Sequence, residues 1–212
     1  MKVIIIEGPD NAGKNTIIRN LIDKFDSVKI IHCHKPPAES LDPLKEMTKV
    51  YYKYADNTIN DYRRDAVEAV IFNRFYFDEW VYGQIYREEK KEDIKEVIQT
   101  IEQFLLSNIP HKDIYYVQLV STSHVLLKNN DDGQSLSGGD ITKIIVEQLL
   151  FLEAYHNSSL KKTFIHVNDQ DSFRPMTEIM KEVNDFIFDE PQRDYDVVDL
   201  TLLPKQASNI AY

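Results

Sequence analysis

Apolar positions along the chain follow two alternating patterns, one typical of buried strands and one typical of amphipathic helices. The strand pattern covers residues 2–6, 28–32, 69–72, 114–120 and 163–167. The helical pattern covers residues 15–25, 41–55, 60–67, 77–90, 94–106, 140–155 and 176–188. Strands that alternate with helices are typical of a parallel sheet with helices on its faces. We therefore expect an α/β fold with a five-stranded parallel sheet.

The chain shows no internal repeat and no obvious linker, so residues 1–188 are expected to form one domain. Residues 129–139 are rich in Asn, Asp, Gly and Ser and predict a mobile loop. Residues 189–212 contain Pro191 and Pro204 and are expected to form a loosely attached tail.

Composition and charge restrict the class of protein further. The chain has 212 residues, 42% of them hydrophobic, and no apolar run that is long enough to cross a bilayer, so we expect a soluble protein that is not membrane-bound. The lone Cys33 has no partner for an internal disulfide and fits a reducing, cytoplasmic compartment. A net charge of -10 disfavours nucleic-acid binding through bulk charge but still allows a local basic pocket.

The strongest chemical signal is a glycine-rich turn directly after the first predicted strand and directly before the first helix. It reads Gly-Pro-Asp-Asn-Ala-Gly-Lys-Asn-Thr from Gly8 to Thr16 and is called the phosphate loop below. Its glycines let the backbone wrap an anion, its N–H groups point at phosphate oxygens, and the lysine adds a positive charge. The residues expected to contact the phosphates of ATP are Gly8, Asn11, Ala12, Gly13, Lys14, Asn15 and Thr16.

One position in this loop departs from the Walker A pattern of phosphate-binding loops. The residue after the lysine is normally Ser or Thr, whose hydroxyl coordinates Mg²⁺, and here it is Asn15. An amide oxygen can bind a hard cation, but Mg²⁺ tolerates little change in geometry. Either the metal is held differently, for example through water, or turnover is weakened.

A second motif, Asn73-Arg74-Phe75-Tyr76, follows the third predicted strand. With Glu7-Gly8-x-Asp10-x-Ala12-Gly13-Lys14 and the later Val81-Tyr82-Gly83, it resembles the thymidylate kinase-like and deoxynucleoside kinase group, including divergent viral members. The resemblance extends over residues 1–188. It implies a P-loop NTPase fold and Mg²⁺-dependent transfer of the γ-phosphoryl group of ATP to a deoxynucleoside monophosphate, most simply dTMP. A homodimer is among the states that it allows.

The resemblance also assigns roles to individual residues. Lys14 would hold the donor phosphates, Asp10 would lie near the acceptor sugar, and Arg74 would bridge the acceptor and the transferred phosphoryl group. Asn73 stands where the family has an aspartate that assists Mg²⁺ binding, so Asn15 and Asn73 are the expected metal-side residues. The remaining acceptor-side candidates are Lys35, Phe75, Trp80, Tyr82, Arg87 and Tyr155.

Residues 128–140 are called the lid segment below. In the members of the family, the corresponding segment supplies arginines that contact the transferred phosphoryl group. Here it contains no arginine, and its single cation is Lys128, which would act as a point charge.

Other functions stay open on these residues. The acceptor could be a free deoxynucleoside, with Glu7 or Asp10 as the base, or a modified base within DNA. Alternatively, the chain could bind nucleotides with weakened or lost catalysis, an interpretation favoured by Asn15, Asn73 and the lid segment without arginine.

Overall fold

Five parallel strands form one sheet, and its three central strands carry β-branched and apolar side chains that are buried on both faces. The computed structural model describes residues 1–33, 36, 39–131, 133 and 135–188. The strand order is β2-β3-β1-β4-β5, with β1 central. The strands are β1 (Lys2–Glu7), β2 (Val28–His32), β3 (Ala69–Asn73), β4 (Ile114–Val120) and β5 (Lys161–His166). The predicted α/β class with a five-stranded parallel sheet is confirmed.

Helices connect the strands and cover both faces of the sheet. They are α1 (Lys14–Ile22), α2 (Pro43–Arg64), α3 (Gln84–Tyr86), α4 (Lys91–Leu106), α5 (His124–Asn129), α6 (Ile141–Asn157) and α7 (Met176–Phe188). A π-helical turn (Glu79–Gly83) precedes α3, a 3₁₀ turn (His111–Asp113) precedes β4, and a small hairpin of β6 (Asn168–Asp169) and β7 (Ser172–Phe173) follows β5. None of the helices in the described part of the chain is long and apolar enough to cross a membrane.

Two helix predictions need correction. Residues 41–55 and 60–67 were expected to form separate helices, but α2 is continuous from Pro43 to Arg64. The polar residues between the two predicted helices are accommodated, because the buried Thr58 hydroxyl donates to the carbonyl of Tyr54 at 2.9 Å. The helix expected over residues 77–90 is instead the π-helical turn followed by α3, which ends at Tyr86.

The alternation of side chains along β1 divides the core into two layers. Val3 and Ile5 pack with side chains of α2 and α4 on one face, while Ile4 and Ile6 pack with α1 and α7 on the other. Because all five strands run in parallel, the carboxyl ends of β1, β3 and β4 lie at one edge of the sheet, where ligands of open α/β sheets bind.

Candidate active site

The phosphate loop leaves β1 through a glycine that no other residue can replace without strain. Gly8 has φ 140°, and a Cβ atom there would lie 2.8 Å from the carbonyl oxygen of Leu119. Gly13, with φ 87°, begins α1 and provides no side-chain cap. The first turn of this helix therefore has no side-chain acceptor at its start, which suits an anion.

Lys14 is buried within this loop. Its Nζ donates to the carbonyl oxygens of Gly8 at 2.9 Å and Pro9 at 2.7 Å. Burial, and then the charge of Arg74, lower the pKa of Lys14 to about 7. A polyphosphate bound in the loop would supply the negative charge that favours the ammonium form.

Arg74 extends from the end of β3 toward the loop. Its φ of 68° lies in the left-handed region, and its backbone N–H donates to the carbonyl of Ile6 at 3.1 Å. The guanidinium pairs with Asp10 of the loop and with Asp78 at 3.0 Å. These contacts fix the arginine beside the phosphate loop.

The two metal-side asparagines contact each other. Asn73 Nδ2 donates to Asn15 Oδ1 at 2.6 Å and lies 3.0 Å from Nδ1 of His32. Asn73 Oδ1 is buried and has no hydrogen-bond partner within the described residues. An orphaned amide oxygen is a hard, neutral ligand, so the pair fits Mg²⁺ in ligand type while lacking the carboxylate charge.

Glu7 lies at the end of β1, completely buried. Its Oε1 accepts the backbone N–H of Phe75 at 2.7 Å, which joins the start of the phosphate loop to the Asn-Arg-Phe motif. Burial, and then the charge of Asp78, raise the pKa of Glu7 well above its ordinary value. From this position Glu7 is better placed to hold the two motifs together than to contact an acceptor.

Arg87 is engaged by two carboxylates on the acceptor side. It pairs with Glu79 and, at 3.1 Å, with Glu89, and Glu79 also accepts the hydroxyl of Tyr51 at 2.7 Å. Burial raises the pKa of Glu79 to about 7, although the charge of Arg87 acts in the opposite direction. An acceptor phosphate would have to compete with these carboxylates for Arg87.

The aromatic candidates occupy different environments. Phe75 is fully buried and stacks on Phe72 with ring centroids 4.0 Å apart, while Trp80 donates to Glu153 Oε2 at 3.1 Å. Tyr155 is buried beside Tyr116. Tyr82 adjoins the site, since its ring lies 5.1 Å from the Arg74 guanidinium. The structure therefore places Phe75, Trp80 and Tyr155 in the packed core.

Glu147 on α6 is a site residue that the sequence did not reveal. It is 1% exposed, and its Oε1 accepts the hydroxyl of Tyr86. Burial raises the pKa of Glu147 to about 7, the Tyr86 bond opposes that rise, and the charges of Asp10, Arg74 and Lys14 also act on it. A glutamate in a helix with other polar residues is normally expected on the exposed face. The sequence pattern therefore could not predict that Glu147 is buried.

The lid segment lies partly on α5. Lys128 is exposed in the last turn of that helix, and Asn11 of the phosphate loop donates to the carbonyl of Leu127 at 3.5 Å. Leu136 packs against a small group of side chains called the aromatic cluster below, which comprises Val81, Tyr82 and Phe151. The segment therefore contacts the aromatic cluster through Leu136, while Leu127, just before the segment, contacts the phosphate loop.

Comparison with known proteins identifies the fold. Neither the family models nor the curated proteins give a match. Among solved structures, the chain is similar to YorR from Bacillus subtilis, determined in complex with phosphorylated GDP, at 20% identity and a TM-score of 0.54 over 86% of this chain and 93% of YorR. It is also similar to thymidylate kinase from Ehrlichia chaffeensis, at 14% identity and a TM-score of 0.55 over 86% of this chain and 96% of that chain.

A third similar structure is polyphosphate kinase 2 from Arthrobacter aurescens TC1, with 15% identity and a TM-score of 0.53 over 92% of this chain and 72% of that chain. The chain has the fold of the P-loop kinases. At these identities the likeness concerns the fold alone.

Within this P-loop kinase fold, the carboxyl edge of the sheet brings together several of the predicted site residues. The phosphate loop, Asp10, Asn73, Arg74 and Tyr82 lie in mutual contact or close to it. Ala12 of the loop is buried, and Thr16 is exposed on α1. Lys35 lies outside the described residues, as does the tail of residues 189–212.

Proposed function

We propose that this chain transfers the γ-phosphoryl group of ATP to a nucleoside-type acceptor. The observation that carries the proposal is the ion pair of Arg74, at the β3 edge, with Asp10 inside the phosphate loop, where the carbonyls of Gly8 and Pro9 hold Lys14. Phosphoryl transfer needs positioning and charge neutralisation more than covalent chemistry by the protein. A buried lysine and a partly buried arginine beside an anion-binding helix start meet both needs.

The donor side uses the phosphate loop. Its backbone and Lys14 would hold the β- and γ-phosphates, and Arg74 would neutralise charge on the transferred group. Asn73 Oδ1 and Asn15 would hold Mg²⁺, which would neutralise negative charge on the phosphates.

The acceptor that the motif resemblance favours is a deoxynucleoside monophosphate, dTMP, which would give dTDP. Its phosphate would bind Arg74 and Arg87, since a guanidinium matches phosphate geometry. Both arginines would then have to exchange a carboxylate partner for the acceptor phosphate.

A free deoxynucleoside is the second candidate acceptor, favoured by the charge balance of this region. Arg74 pairs with Asp10 and Asp78, and Arg87 pairs with Glu79 and Glu89. With both cations already neutralised, an uncharged acceptor binds without displacing any of these ion pairs.

The test is a coupled ADP-release assay with ATP and Mg²⁺ against the four deoxynucleoside monophosphates, dUMP and the free deoxynucleosides, with Lys14→Met as the blank. Arg87→Gln decides between the two candidates. If dTMP is the acceptor, this change lowers kcat/KM for dTMP at least about tenfold more than for thymidine.

Arg63→Gln is the matched control, because Arg63 is exposed and donates to Asn108 Oδ1 before the start of β4, at the amino edge of the sheet. We expect it to leave the acceptor preference unchanged. Turnover no faster than that of Lys14→Met on every acceptor would contradict the proposed function.

A further inference from the structure

The side-chain amide of Asn73 has partners for its nitrogen but none for its oxygen. Nδ2 donates to Asn15 Oδ1 at 2.6 Å and lies 3.0 Å from Nδ1 of His32. Oδ1 is buried and has no hydrogen-bond partner within the described part of the chain. A buried polar atom without a partner is costly, and native proteins contain few of them. This oxygen is therefore expected to serve a ligand.

The sheet itself places the imidazole of His32 beside this amide. His32 and Asn73 are register partners at the carboxyl ends of β2 and β3, and Ile6 of β1 is the partner of Asn73 on the other side. Just beyond His32, the backbone N–H of Cys33 donates to the carbonyl of Asn73 at 3.4 Å. These strand contacts fix the backbones of His32 and Asn73 relative to each other.

The direction of the hydrogen bond at His32 follows from its exposure to solvent. A solvent-exposed neutral imidazole favours the form that carries its hydrogen on Nε2, which leaves Nδ1 as an acceptor. Asn73 Nδ2 carries two hydrogens and can donate to His32 and Asn15 together. Asn15 alone does not fix the amide, because both asparagine side chains could turn over and exchange donor and acceptor. The imidazole favours the orientation in which the nitrogen of Asn73 faces it.

An asparagine depends on such an orienting partner more than an aspartate would. A carboxylate presents an oxygen to a metal in either orientation, whereas an amide does so only when its nitrogen faces elsewhere. Mg²⁺ takes oxygen ligands, so the imidazole is itself a poor ligand for it. His32 is therefore suited to orient a metal ligand rather than to be one.

We propose that His32 is a positioning residue that accepts a hydrogen bond from Asn73 Nδ2 and thereby keeps Asn73 Oδ1 available to the Mg²⁺ of a bound nucleotide. The inference rests on the metal site of the proposed function. His32 acts on the metal through Asn73. Groups that orient metal ligands in this way typically contribute about 10–100-fold to metal affinity.

The test measures Mg²⁺ binding without turnover, by calorimetry of the non-hydrolysable analogue β,γ-imido-ATP in Mg²⁺ and in EDTA. His32→Phe keeps an aromatic ring but removes the acceptor, while His32→Asn places an amide oxygen near the position of Nδ1. We expect Mg²⁺ to tighten binding to the wild type at least about tenfold and His32→Phe to lose most of this gain. His32→Asn should retain it. In EDTA the three proteins should agree within about twofold.

Two further variants separate this role from a structural one. Asn73→Ala removes the amide through which His32 acts, so adding His32→Phe to it should change the Mg²⁺ gain by less than about twofold. His111→Phe is the matched control, because it makes the same substitution at an exposed histidine in the 3₁₀ turn before β4, at the opposite edge of the sheet. It should leave the Mg²⁺ gain unchanged.

Four results would overturn the inference. They are an unchanged Mg²⁺ gain in His32→Phe, an equal loss in His32→Asn, an equal effect of His32→Phe in the Asn73→Ala background, and the absence of any gain in the wild type. None of these measurements depends on the acceptor. Failure of the kinase function is seen separately, as wild-type turnover no faster than that of Lys14→Met, and leaves the Mg²⁺ result standing.

Discussion

Lys14 is buried in surroundings that disfavour its charged form. Its Nζ donates to two loop carbonyls, and burial together with the like charge of Arg74 lowers its pKa more than the charges of Asp10, Asp78 and Glu7 raise it. The groups of the protein itself therefore disfavour the charged form, while a bound triphosphate would favour it. Nucleotide binding and protonation of Lys14 are expected to be coupled.

Calorimetry tests this coupling directly. Because the pKa of Lys14 is lowered to about 7, most of this group is neutral at about pH 8, and ATP binding should take up nearly one proton. Titrations in buffers of different ionisation enthalpy measure the uptake. Lys14→Met should abolish it, and an unchanged uptake in that variant would assign the proton to another group.

Glu147 gives a second residue-level prediction, on the stability of the protein. Its pKa is raised by burial from the ordinary 4.5 to about 7, so the folded state binds the proton more tightly than the unfolded state does. The stability that this group contributes is present below about pH 4.5 and is lost as the pH rises through about 7. Glu147→Gln should therefore exceed the wild type in free energy of unfolding by about 1–3 kcal/mol at about pH 9.

Urea denaturation at about pH 5, 7 and 9 measures this difference, which should shrink toward pH 5. The control is Glu178→Gln, which changes an exposed carboxylate on α7. A constant difference between Glu147→Gln and the wild type across the pH range would argue against a buried, protonated Glu147.

At the residue scale, the sequence singles out candidate site residues where they stand in a motif with a known spacing. Gly8, Lys14 and Arg74 stand in recognisable motifs, and they meet at the carboxyl edge of the sheet. Glu147 lies near this edge because α6 packs against residues 79–86. The local sequence around Glu147 does not predict that packing. The ion pairs of Arg87 likewise depend on tertiary contacts.

Among the elements, β3 and α1 are joined by a hydrogen bond between neutral amides. Asn73 at the end of β3 donates to Asn15 in the first turn of α1. Because an aspartate at position 73 could not donate this bond, it would need a hydroxyl donor at position 15. The two asparagines should behave as one unit.

A double-mutant cycle tests their coupling. Asn73→Asp alone sets a carboxylate against Asn15 Oδ1, and Asn15→Thr alone shortens the side chain, so each single variant should lower the rate at limiting Mg²⁺. The double variant should recover at least about tenfold over the worse single variant, because the threonine hydroxyl donates to the new carboxylate. The measurement is turnover as a function of Mg²⁺ concentration, and additive effects would disprove the coupling.

Element prediction succeeded where local pattern and tertiary environment agree. The five strands lie close to their predicted positions, because continuous apolar runs are suited to a sheet buried on both faces. The π-helical turn at Glu79–Gly83 was missed because buried contacts of Glu79 with Tyr51 and Arg87 shape it. The short α5 and the β6–β7 hairpin are stabilised by contacts distant in sequence, such as the bond from Thr122 N to Asn168 Oδ1 at 2.9 Å.

Over the whole molecule, a parallel sheet with two core layers positions an anion-binding loop within an acidic protein. Because the net charge is -10, binding of an anion depends on the few cations that lie at the loop. Lys14 and Arg74 lie there, Arg74 is paired with Asp10 and Asp78, and Arg87 is paired with Glu79 and Glu89. Under the proposed function a polyphosphate would bind at the loop, and the carboxylate partners of both arginines favour the free deoxynucleoside among the two candidate acceptors.

The most direct test of phosphoryl transfer follows the γ-phosphoryl group itself. ATP labelled at the γ-phosphate is incubated with Mg²⁺, a mixture of deoxynucleosides and deoxynucleoside monophosphates, and either the wild type or Lys14→Met. We predict that the wild type moves the label onto one acceptor and that Lys14→Met leaves it on ATP. Label that stays on ATP with the wild type, while calorimetry shows that ATP binds, would contradict the account.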